Sequence, residues 1–459
     1  MVPSVDTIVA LSTPPGRSGI GVIRLSGPSA LQIAQTLTGE PSFSQKPNHA
    51  RLRKIYHPET LALLDEALIT YFRGPQSYTG EDVIELSCHG SPVLLRSLVD
   101  IILRLNARVA DPGEFTLRAL AHGKIDLTQA EAIRDLINAQ TNAAVQQATR
   151  QMRGEVSHVL RPLRDRLLDV IVRLESSLEF VEEDLPAIEF EQLQAEVESV
   201  CLELEELASS FTTGRLLSDG IRVTFWGRPN VGKSSLFNVL LSFERAIVTD
   251  VPGTTRDTLS EAIDVEGIAV HLTDTAGVRE VNDPIESIGV QRARRAIADA
   301  DLTILVIDGS EDLTAADRAL LDESEGSARL IALNKKDLPT FAVDRFQHNH
   351  KSGGPLSFIP VSAKTKAGLD DLRAAMLAHF RNGQTNIDGL LITNARHYDL
   401  LRRAIESLRS SGDLLVERAS EELVLVGLHN ALRYLGEILG EITPDDILAQ
   451  IFSTFCIGK

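Results

Sequence analysis

A short glycine-containing run near the middle of the chain restricts its possible folds more than any other feature. Residues 227–235 read Gly-Arg-Pro-Asn-Val-Gly-Lys-Ser-Ser and directly follow the apolar run Ile221–Trp226. This pattern is typical of a phosphate-binding loop between a strand and a helix, because the glycines let backbone N–H groups approach phosphates at the helix N-terminus. It predicts an α/β domain in which Lys233 reaches the β- and γ-phosphates of a nucleotide and Ser234 ligates magnesium.

Two later loops predict which base the nucleotide carries. Residues 334–337 read Asn-Lys-Lys-Asp after the apolar run Leu330–Leu333. Asp337 can accept two hydrogen bonds from the N–H groups of guanine, an arrangement that adenine cannot satisfy. Residues 362–364, Ser-Ala-Lys, follow the apolar run Phe358–Val361 and fit a loop that supports guanine. Each loop alone would indicate a lysine-rich surface turn, but after a phosphate loop they favour GTP over ATP.

Two segments between these loops have the composition of magnesium-linked switches. Asp274 ends the run Ile268–Thr273 and predicts a carboxylate that holds magnesium through water. Residues 253–257, Gly-Thr-Thr-Arg-Asp, supply a threonine that would reach magnesium only when the γ-phosphate is present, as in a switch loop that senses GTP. The residues predicted to bind the nucleotide are Asn230, Val231, Gly232, Lys233, Ser234, Ser235, Thr249, Thr254, Thr255, Asp274, Thr275, Ala276, Gly277, Asn334, Lys335, Asp337, Ser362, Ala363 and Lys364.

The residue that positions the attacking water is not the usual one. Ras-like enzymes that use glutamine place it directly after Asp-x-x-Gly, where this chain has Val278. Glu286 can orient the water, or it is a solvated carboxylate near a helix start. Arg256 and Arg279 can each stabilise transition-state charge, or form a surface ion pair. We predict Glu286, Lys233 and Arg279 as catalytic residues.

Length and patterning predict several domains around this segment. The 459 residues exceed what one core usually organises. Residues 1–122 are rich in strand patterns and predict an N-terminal α+β domain. Residues 220–384 alternate strands and helices, which predicts a Ras-like α/β G domain with a doubly wound sheet. Residues 123–219 and 385–459 have helical periodicity and predict one discontinuous α-helical domain into which the G domain is inserted.

Charge and apolar runs limit the partners and the location. The net charge of −18 opposes unaided attraction to a phosphate backbone, so a basic partner or a local patch would have to assist in binding nucleic acid. No apolar run approaches the roughly 20 residues that span a bilayer. The first residues lack a basic segment followed by an apolar run, so no secretion signal is indicated. We expect a cytoplasmic protein with no membrane partner.

Further segments strengthen a resemblance to one family. Residues 249–257, Thr-Asp-Val-Pro-Gly-Thr-Thr-Arg-Asp, and 455–459, Phe-Cys-Ile-Gly-Lys, together with the phosphate loop and Thr-Pro-Pro-Gly-Arg at 13–17, resemble the MnmE/TrmE family of tRNA modification GTPases. The resemblance covers essentially the whole chain. It implies a homodimer with an N-terminal folate-binding and dimerisation domain. It also implies an FAD-containing partner subunit, in a heterotetramer or larger assembly, with which the family adds a (carboxymethyl)aminomethyl group at C5 of the wobble uridine of certain tRNAs.

The resemblance also implies a folate site. A tetrahydrofolate derivative, 5-formyl- or methylene-tetrahydrofolate, is the one-carbon donor in the family. Arg24, Glu85, Lys124 and Lys459 match the family's folate-binding positions. Without the resemblance, each would more often be a surface charge. Cys456, in the terminal motif, is either a reactive nucleophile or a packed residue of the folate site.

Potassium and magnesium are the metal ions that the resemblance implies. Potassium would take the place of an arginine finger when two G domains meet, and would stimulate GTP hydrolysis. The positions that match the family's potassium ligands are Asn230, Thr249, Val251 and Thr254. Ser234 and Thr255 match the magnesium ligands, and Glu286 matches the water-activating glutamate.

Two other functions fit part of the sequence. A potassium-activated ribosome-assembly GTPase shares the phosphate-loop asparagine, but it predicts a basic RNA-binding module for which the sequence has no convincing candidate. A folate-dependent scaffold with weak GTPase activity is opposed by the intact Lys233, Ser234, Asp274 and Asp337.

Overall fold

The computed structural model describes residues 6–40, 46–179, 187–243, 246–247, 260–274, 296–324, 327–347, 358–380, 389–442 and 444–458. The chain divides into two compact units. The first consists of Met1–Arg134, Thr149–Cys201 and Arg403–Lys459, and the second of Asp135–Ala148 and Leu202–Arg402. Within the described ranges, no helix is long and apolar enough to cross a membrane.

A six-stranded sheet forms the N-terminal part of the first unit. Its strands are β1 (Thr7–Leu11), β2 (Ile20–Ser26), β3 (Ala50–Tyr56), β4 (Leu63–Phe72), β5 (Val83–His89) and β6 (Ala107–Val109). They lie in the order β3-β4-β5-β2-β1-β6, and only β1 and β6 pair in parallel. Helices α1 (Ala30–Thr38) and α2 (Pro92–Leu103) pack on this sheet, and α3 (Glu114–Ala121) follows β6. The result is the predicted N-terminal α+β fold.

Five helices follow in the chain. They are α4 (Leu127–Asn138), α5 (Asn142–Met152), α6 (Glu155–Glu179), α7 (Ala187–Ser209) and α8 (Phe211–Asp219). Helix α6 shows why this segment is helical, since its buried apolar residues recur every three or four positions and form one stripe. These buried residues are Leu160, Leu163, Leu167, Ile171 and Leu174.

The second unit contains a seven-stranded sheet. Its elements are β7 (Ile221–Trp226), α9 (Lys233–Phe243), β8 (Ala246–Ile247), β9 (Ser260–Val265), β10 (Ile268–Asp274), β11 (Leu302–Asp308), α10 (Ala315–Glu323), β12 (Arg329–Asn334), α11 (Asp344–Gln347), β13 (Phe358–Pro360) and α12 (Leu369–Phe380). The strand order is β13-β12-β11-β7-β10-β9-β8, with β13 through β10 parallel and β9 and β8 antiparallel to their neighbours. All seven residues of β11 are buried, as expected of a central parallel strand covered on both faces.

The chain then returns to helices, α13 (Ala395–Val416), α14 (Glu421–Leu439) and α15 (Asp445–Ser453). Helix α14 packs along α6, so helical segments from before and after the seven-stranded sheet lie together in the first unit. The prediction of a discontinuous helical domain with an inserted α/β domain is therefore confirmed. The carboxyl ends of parallel strands β7, β10, β11 and β12 meet at one edge of their sheet, where ligands usually bind.

Candidate functional site

The loop between β7 and α9 has a backbone that requires its glycines. Gly227 has φ 150° and Gly232 has φ 96°. A Cβ atom at Gly227 would lie 2.4 Å from the Val306 carbonyl oxygen, and one at Gly232 would lie 2.2 Å from Asn334 Nδ2. Asn230 between them adopts φ 64°, a conformation that asparagine tolerates better than most residues. The loop therefore presents its main chain at the start of α9, as a phosphate site requires.

Lys233 begins α9 and is folded back onto the loop. Its side chain is buried, and its Nζ donates to the Arg228 carbonyl oxygen at 2.8 Å. The Arg228 Nε donates to Asp317 Oδ1 at 2.8 Å, and Asp317 caps α10 together with Thr314. Burial alone would lower the pKa of Arg228, but Asp317 and Glu311 raise it above its ordinary value. An ion pair thus anchors the phosphate loop to α10, and Lys233 is held against the same loop by its bond to the Arg228 carbonyl oxygen.

Asn334 joins the phosphate loop to both predicted guanine loops. This residue ends β12 and is 2% exposed. Its Nδ2 donates to the Val231 carbonyl oxygen at 2.9 Å, and its Oδ1 accepts from the Ala363 N–H at 3.1 Å. The Ser362 hydroxyl donates to Asp337 Oδ1 at 2.6 Å and lowers the pKa of Asp337. Asp337 is therefore held as an anion, ready to accept from a guanine edge.

The other described residues that are predicted to bind the nucleotide lie at the ends of strands of this sheet or in the segments that directly follow them. Asp274 ends β10 and is 3% exposed, and Ser234 is an exposed residue in the first turn of α9. A carboxylate and a hydroxyl are the oxygen donors that suit magnesium, which would neutralise phosphate charge there. Ser235 and Lys364 are exposed, and Lys364 contributes to the lowered pKa of Asp337.

Several predicted residues lie outside the described part of the chain. They are Thr249, Val251, Thr254, Thr255, Arg256, Thr275, Ala276, Gly277, Arg279, Glu286 and Lys459. Their roles stay predictions.

In the first unit, the structure brings Arg24 and Glu85 together. They face each other in the register of β2 and β5, and Arg24 Nε and Nη2 donate to Glu85 Oε1 at 2.9 and 2.7 Å. Arg24 Nη1 also donates to the Gly458 carbonyl oxygen at 3.3 Å, and its guanidinium carbon lies 5.8 Å from the centre of the Phe115 ring. Burial raises the pKa of the Tyr78 hydroxyl, which bonds to Thr116 nearby on α3, although the positive charge of Arg24 opposes this shift.

The C-terminal segment reaches Arg24 because apolar packing holds it. Phe452 and Phe455 are buried against Ala130 in one small cluster. The Gly113 N–H donates to the Cys456 carbonyl oxygen at 3.4 Å. Gly458 adopts φ 100°, where a Cβ atom would lie 2.8 Å from the Leu11 carbonyl oxygen. The fold therefore places residues more than 430 positions apart in the chain at one site.

Two residues of the predicted folate site, Lys124 and Cys456, are less closely grouped with the Arg24–Glu85 pair. Lys124 does not bond to Arg24 or Glu85, and its Nζ donates to the Pro75 carbonyl oxygen at 2.9 Å. The Cys456 side chain is exposed and is a free cysteine.

A buried ionic network that no sequence motif indicates lies next to this site. Arg118 on α3 is 4% exposed and bonds to Asp6, Glu81 and Glu114, while Arg108 on β6 bonds to Asp6 and Glu114. Burial alone would raise the pKa of Glu114, but hydrogen bonds from the Arg108 side chain, a backbone N–H and Arg118 lower it below its ordinary value. Charged residues are usually exposed, so the sequence gives no signal that these are buried, and only their convergence in the fold shows the network.

Asp308 is a second residue that sequence analysis did not identify. It ends the fully buried strand β11, is 4% exposed, and accepts from Lys335 Nζ at 2.5 Å. An acidic residue at the carboxyl end of a mostly apolar strand was the available signal.

The arrangement at the edge of the second sheet is that of a P-loop GTPase with a Ras-like G domain, which this chain carries within a multidomain architecture. A model described as "MnmE helical domain" matches residues 127–456, and one described as "GTP-binding protein TrmE N-terminus" matches residues 7–124. The chain belongs to the MnmE family of tRNA modification GTPases, and it is a GTP-hydrolysing enzyme.

Full-length relatives agree with this assignment. The tRNA modification GTPase MnmE of Koribacter versatilis is 41% identical over 457 residues, which is 99% of each chain. That of Aquifex aeolicus is 40% identical over 457 residues, covering 99% of this chain and 100% of the relative. That of Enterococcus faecalis is 40% identical over 460 residues, covering 99% and 98%. The predicted family is confirmed, and the ribosome-assembly alternative is not supported.

Proposed function

We propose that this GTPase acts as a homodimer with an FAD-containing partner subunit, in a heterotetramer or larger assembly, to modify tRNA. The product is a (carboxymethyl)aminomethyl group at C5 of the wobble uridine of certain tRNAs. A tetrahydrofolate derivative, 5-formyl- or methylene-tetrahydrofolate, supplies one carbon. The names of the full-length relatives support tRNA modification, and the N-terminal match supports the presence of the domain that would hold the folate.

The observation that carries the folate proposal is the Arg24–Glu85 pair beneath the C-terminal segment. Both bonds from Arg24 to Glu85 go to one carboxylate oxygen, and among the described residues Glu85 Oε2 accepts no hydrogen bond. A carboxylate with a free oxygen suits the N–H groups of a pterin ring, and a guanidinium suits an anionic glutamate tail or a formyl oxygen. The two side chains are 21% and 25% exposed, so a ligand can reach them without opening the core.

Calorimetric titration of 5-formyltetrahydrofolate into the full-length protein tests this site. We expect saturable binding that is lost in Glu85→Ala, because the pterin would lose its acceptor. Glu66→Ala is the matched control, since Glu66 is an exposed carboxylate on the neighbouring strand β4. Absence of binding by the folded wild-type protein, or equal binding by Glu85→Ala, would contradict the folate proposal and leave the GTPase assignment intact.

We also propose that potassium stimulates hydrolysis when the G domains of two copies meet. Asn230 supports the potassium proposal, because this residue lies in the phosphate loop with a positive φ and its amide oxygen suits a monovalent cation. Thr249, Val251 and Thr254 would complete the site, with Thr255 on magnesium. We expect faster GTP turnover in potassium than in sodium, and Asn230→Ala should remove the difference. Asn238→Ala, an exposed change on α9, is the control. Equal wild-type rates in the two salts would refute the potassium proposal.

For the chemical step, we propose that Glu286 positions the attacking water and Arg279 supports the developing charge, with Lys233 on the phosphates. Glu286→Gln is expected to lower kcat for GTP while leaving GDP affinity close to wild type. A wild-type kcat in this variant would exclude that role.

A further inference from the structure

The end of strand β11 holds a lysine of the guanine loop. Asp308 Oδ2 lies 2.5 Å from Lys335 Nζ. Asp308 Oδ1 accepts from the Ser310 N–H at 3.0 Å and from the Ser310 hydroxyl at 2.6 Å. The next residue, Gly309, donates its N–H to the Asn334 carbonyl oxygen at 2.9 Å. The loop after β11 and the loop after β12 are therefore joined by both backbone and side-chain bonds.

We propose that Asp308 is a positioning residue for guanine-nucleotide binding, and that it acts by fixing Lys335 before the nucleotide arrives. Lys335 stands two residues before Asp337 in the same turn, so its methylene groups would lie close to a base that Asp337 binds. Its side chain is 35% exposed although its ammonium group is paired. The pair thus anchors the charged end and leaves part of the stem accessible to a ligand.

The physical advantage is preorganisation. A free lysine side chain has many rotamers, and a binding ligand would otherwise have to offset part of the entropy that is lost when one is fixed. Lys335 also adopts φ 69°, an uncommon conformation for a residue other than glycine, so its backbone is already committed to one arrangement. Burial alone would raise the pKa of Asp308, but the bonds from Lys335 and Ser310 lower it, so the carboxylate remains charged.

Asp308→Asn is a sharp test because an asparagine amide has only one acceptor oxygen, which the Ser310 N–H and hydroxyl groups both require. When that oxygen stays on Ser310, the new NH2 group faces the Lys335 ammonium, and the attraction becomes repulsion. The shape of the side chain is otherwise retained. Asp322→Asn is the matched control, since it removes the same charge from an exposed position on α10.

We measure the affinity of the full-length protein for GDP and for inosine diphosphate by calorimetry. Asp308→Asn is expected to weaken both about tenfold, as the loss of one charge-assisted hydrogen bond suggests. The loss is the same for the two nucleotides because Asp308 acts through Lys335 and makes no contact with a base edge. In GTP turnover, the change falls on KM rather than on kcat.

A double-mutant cycle with Lys335→Met separates positioning from a general structural role. If Asp308 acts through Lys335, the double variant binds GDP about as weakly as Lys335→Met alone, since the effects of coupled residues are not additive. Additive losses, or wild-type GDP affinity in Asp308→Asn, would overturn the proposal. Should Asp308→Asn lower the melting temperature of the nucleotide-free protein, Ser310→Ala gives a second test. Ser310→Ala removes the hydroxyl that orients Asp308 and should weaken GDP binding about threefold, whereas the Asp322→Asn control should bind GDP like wild type. Unchanged GDP affinity in Ser310→Ala also counts against the proposal.

Discussion

Replacing Asn334 with alanine removes the side chain that ties three loops together. In the wild-type protein this amide donates to the Val231 carbonyl oxygen at 2.9 Å and accepts from the Ala363 N–H at 3.1 Å. Asn334 is 2% exposed and Val231 is 1% exposed, so water cannot easily take its place. Each polar group that is left buried without a partner costs about 1–3 kcal/mol. Two such groups, with partial relaxation, correspond to a total of about 2–4 kcal/mol.

This cost divides between two measurable quantities. In the free variant the loops can relax, which lowers the stability of the nucleotide-free protein by part of the total. The remainder appears as weaker GDP binding, because the nucleotide must then bring the loops together. If half of the total or more falls on binding, the affinity for GDP drops by about tenfold or more, since 1.4 kcal/mol is one factor of ten.

Calorimetric titration of GDP into full-length Asn334→Ala measures this loss directly. Asn334→Asp sharpens the test, because it keeps an acceptor for the Ala363 N–H but sets a carboxylate oxygen against the Val231 carbonyl. It should bind GDP no better than the alanine variant. Asn238→Ala, on the exposed side of α9, should bind like wild type. GDP affinity within twofold of wild type in Asn334→Ala would refute the reasoning that this amide organises the site.

Three further predictions concern single residues. Gly232→Ala should abolish detectable GDP binding, because a Cβ atom would lie 2.2 Å from Asn334 Nδ2 and the φ of 96° disfavours any side chain; calorimetry checks this. Glu114→Gln should lower the free energy of unfolding by about 3 kcal/mol at pH 7, as expected when one member of a buried ion pair is removed. Since the pKa of Glu114 is lowered in the folded state, its contribution is present above the ordinary pKa of 4.5 and is lost as the pH falls, so urea unfolding of the variant should depend less on pH in the acid range. Trp226 is the only tryptophan and directly precedes the phosphate loop, so its emission should change when a GTP analogue binds.

Clear results would contradict each of these. GDP binding by Gly232→Ala near wild-type affinity would mean that Asn334 can move away at little cost. An unchanged acid slope in Glu114→Gln would assign the pH dependence to other carboxylates. An unchanged Trp226 spectrum at saturating analogue, with binding confirmed separately, would mean that the end of β7 does not respond to the nucleotide.

The local elements of the G domain could be predicted because each carries its own pattern. The run Ile221–Trp226 is apolar and is strand β7 with the same bounds. The strand predicted at Leu330–Leu333 extends by one residue at each end, to Arg329–Asn334, because ladder bonds to β11 continue on both sides. The strand predicted at Phe358–Val361 ends one residue earlier in the structure, at Pro360.

The pairs of residues that build the sites could not be predicted in this way. Glu85 is 61 positions from Arg24 and Gly458 is 434 positions from it, yet all three meet. No local propensity encodes the register between β2 and β5, or the packing of Phe452 and Phe455 that carries Gly458 to Arg24. For the same reason the partnership of Asp308 with Lys335 was not visible from either residue alone.

The sequence by itself determined the fold class, the phosphate and guanine loops, and the family, because short-range spacing of glycine, lysine, asparagine and aspartate states the required backbone and chemistry directly. Only the tertiary structure decided which side chains meet: Asn334 between two loops, Asp308 on Lys335, and Arg24 on Glu85 beneath Gly458. Such contacts depend on strand register and core packing between distant segments, which are set by the free energy of the whole fold rather than by any segment alone.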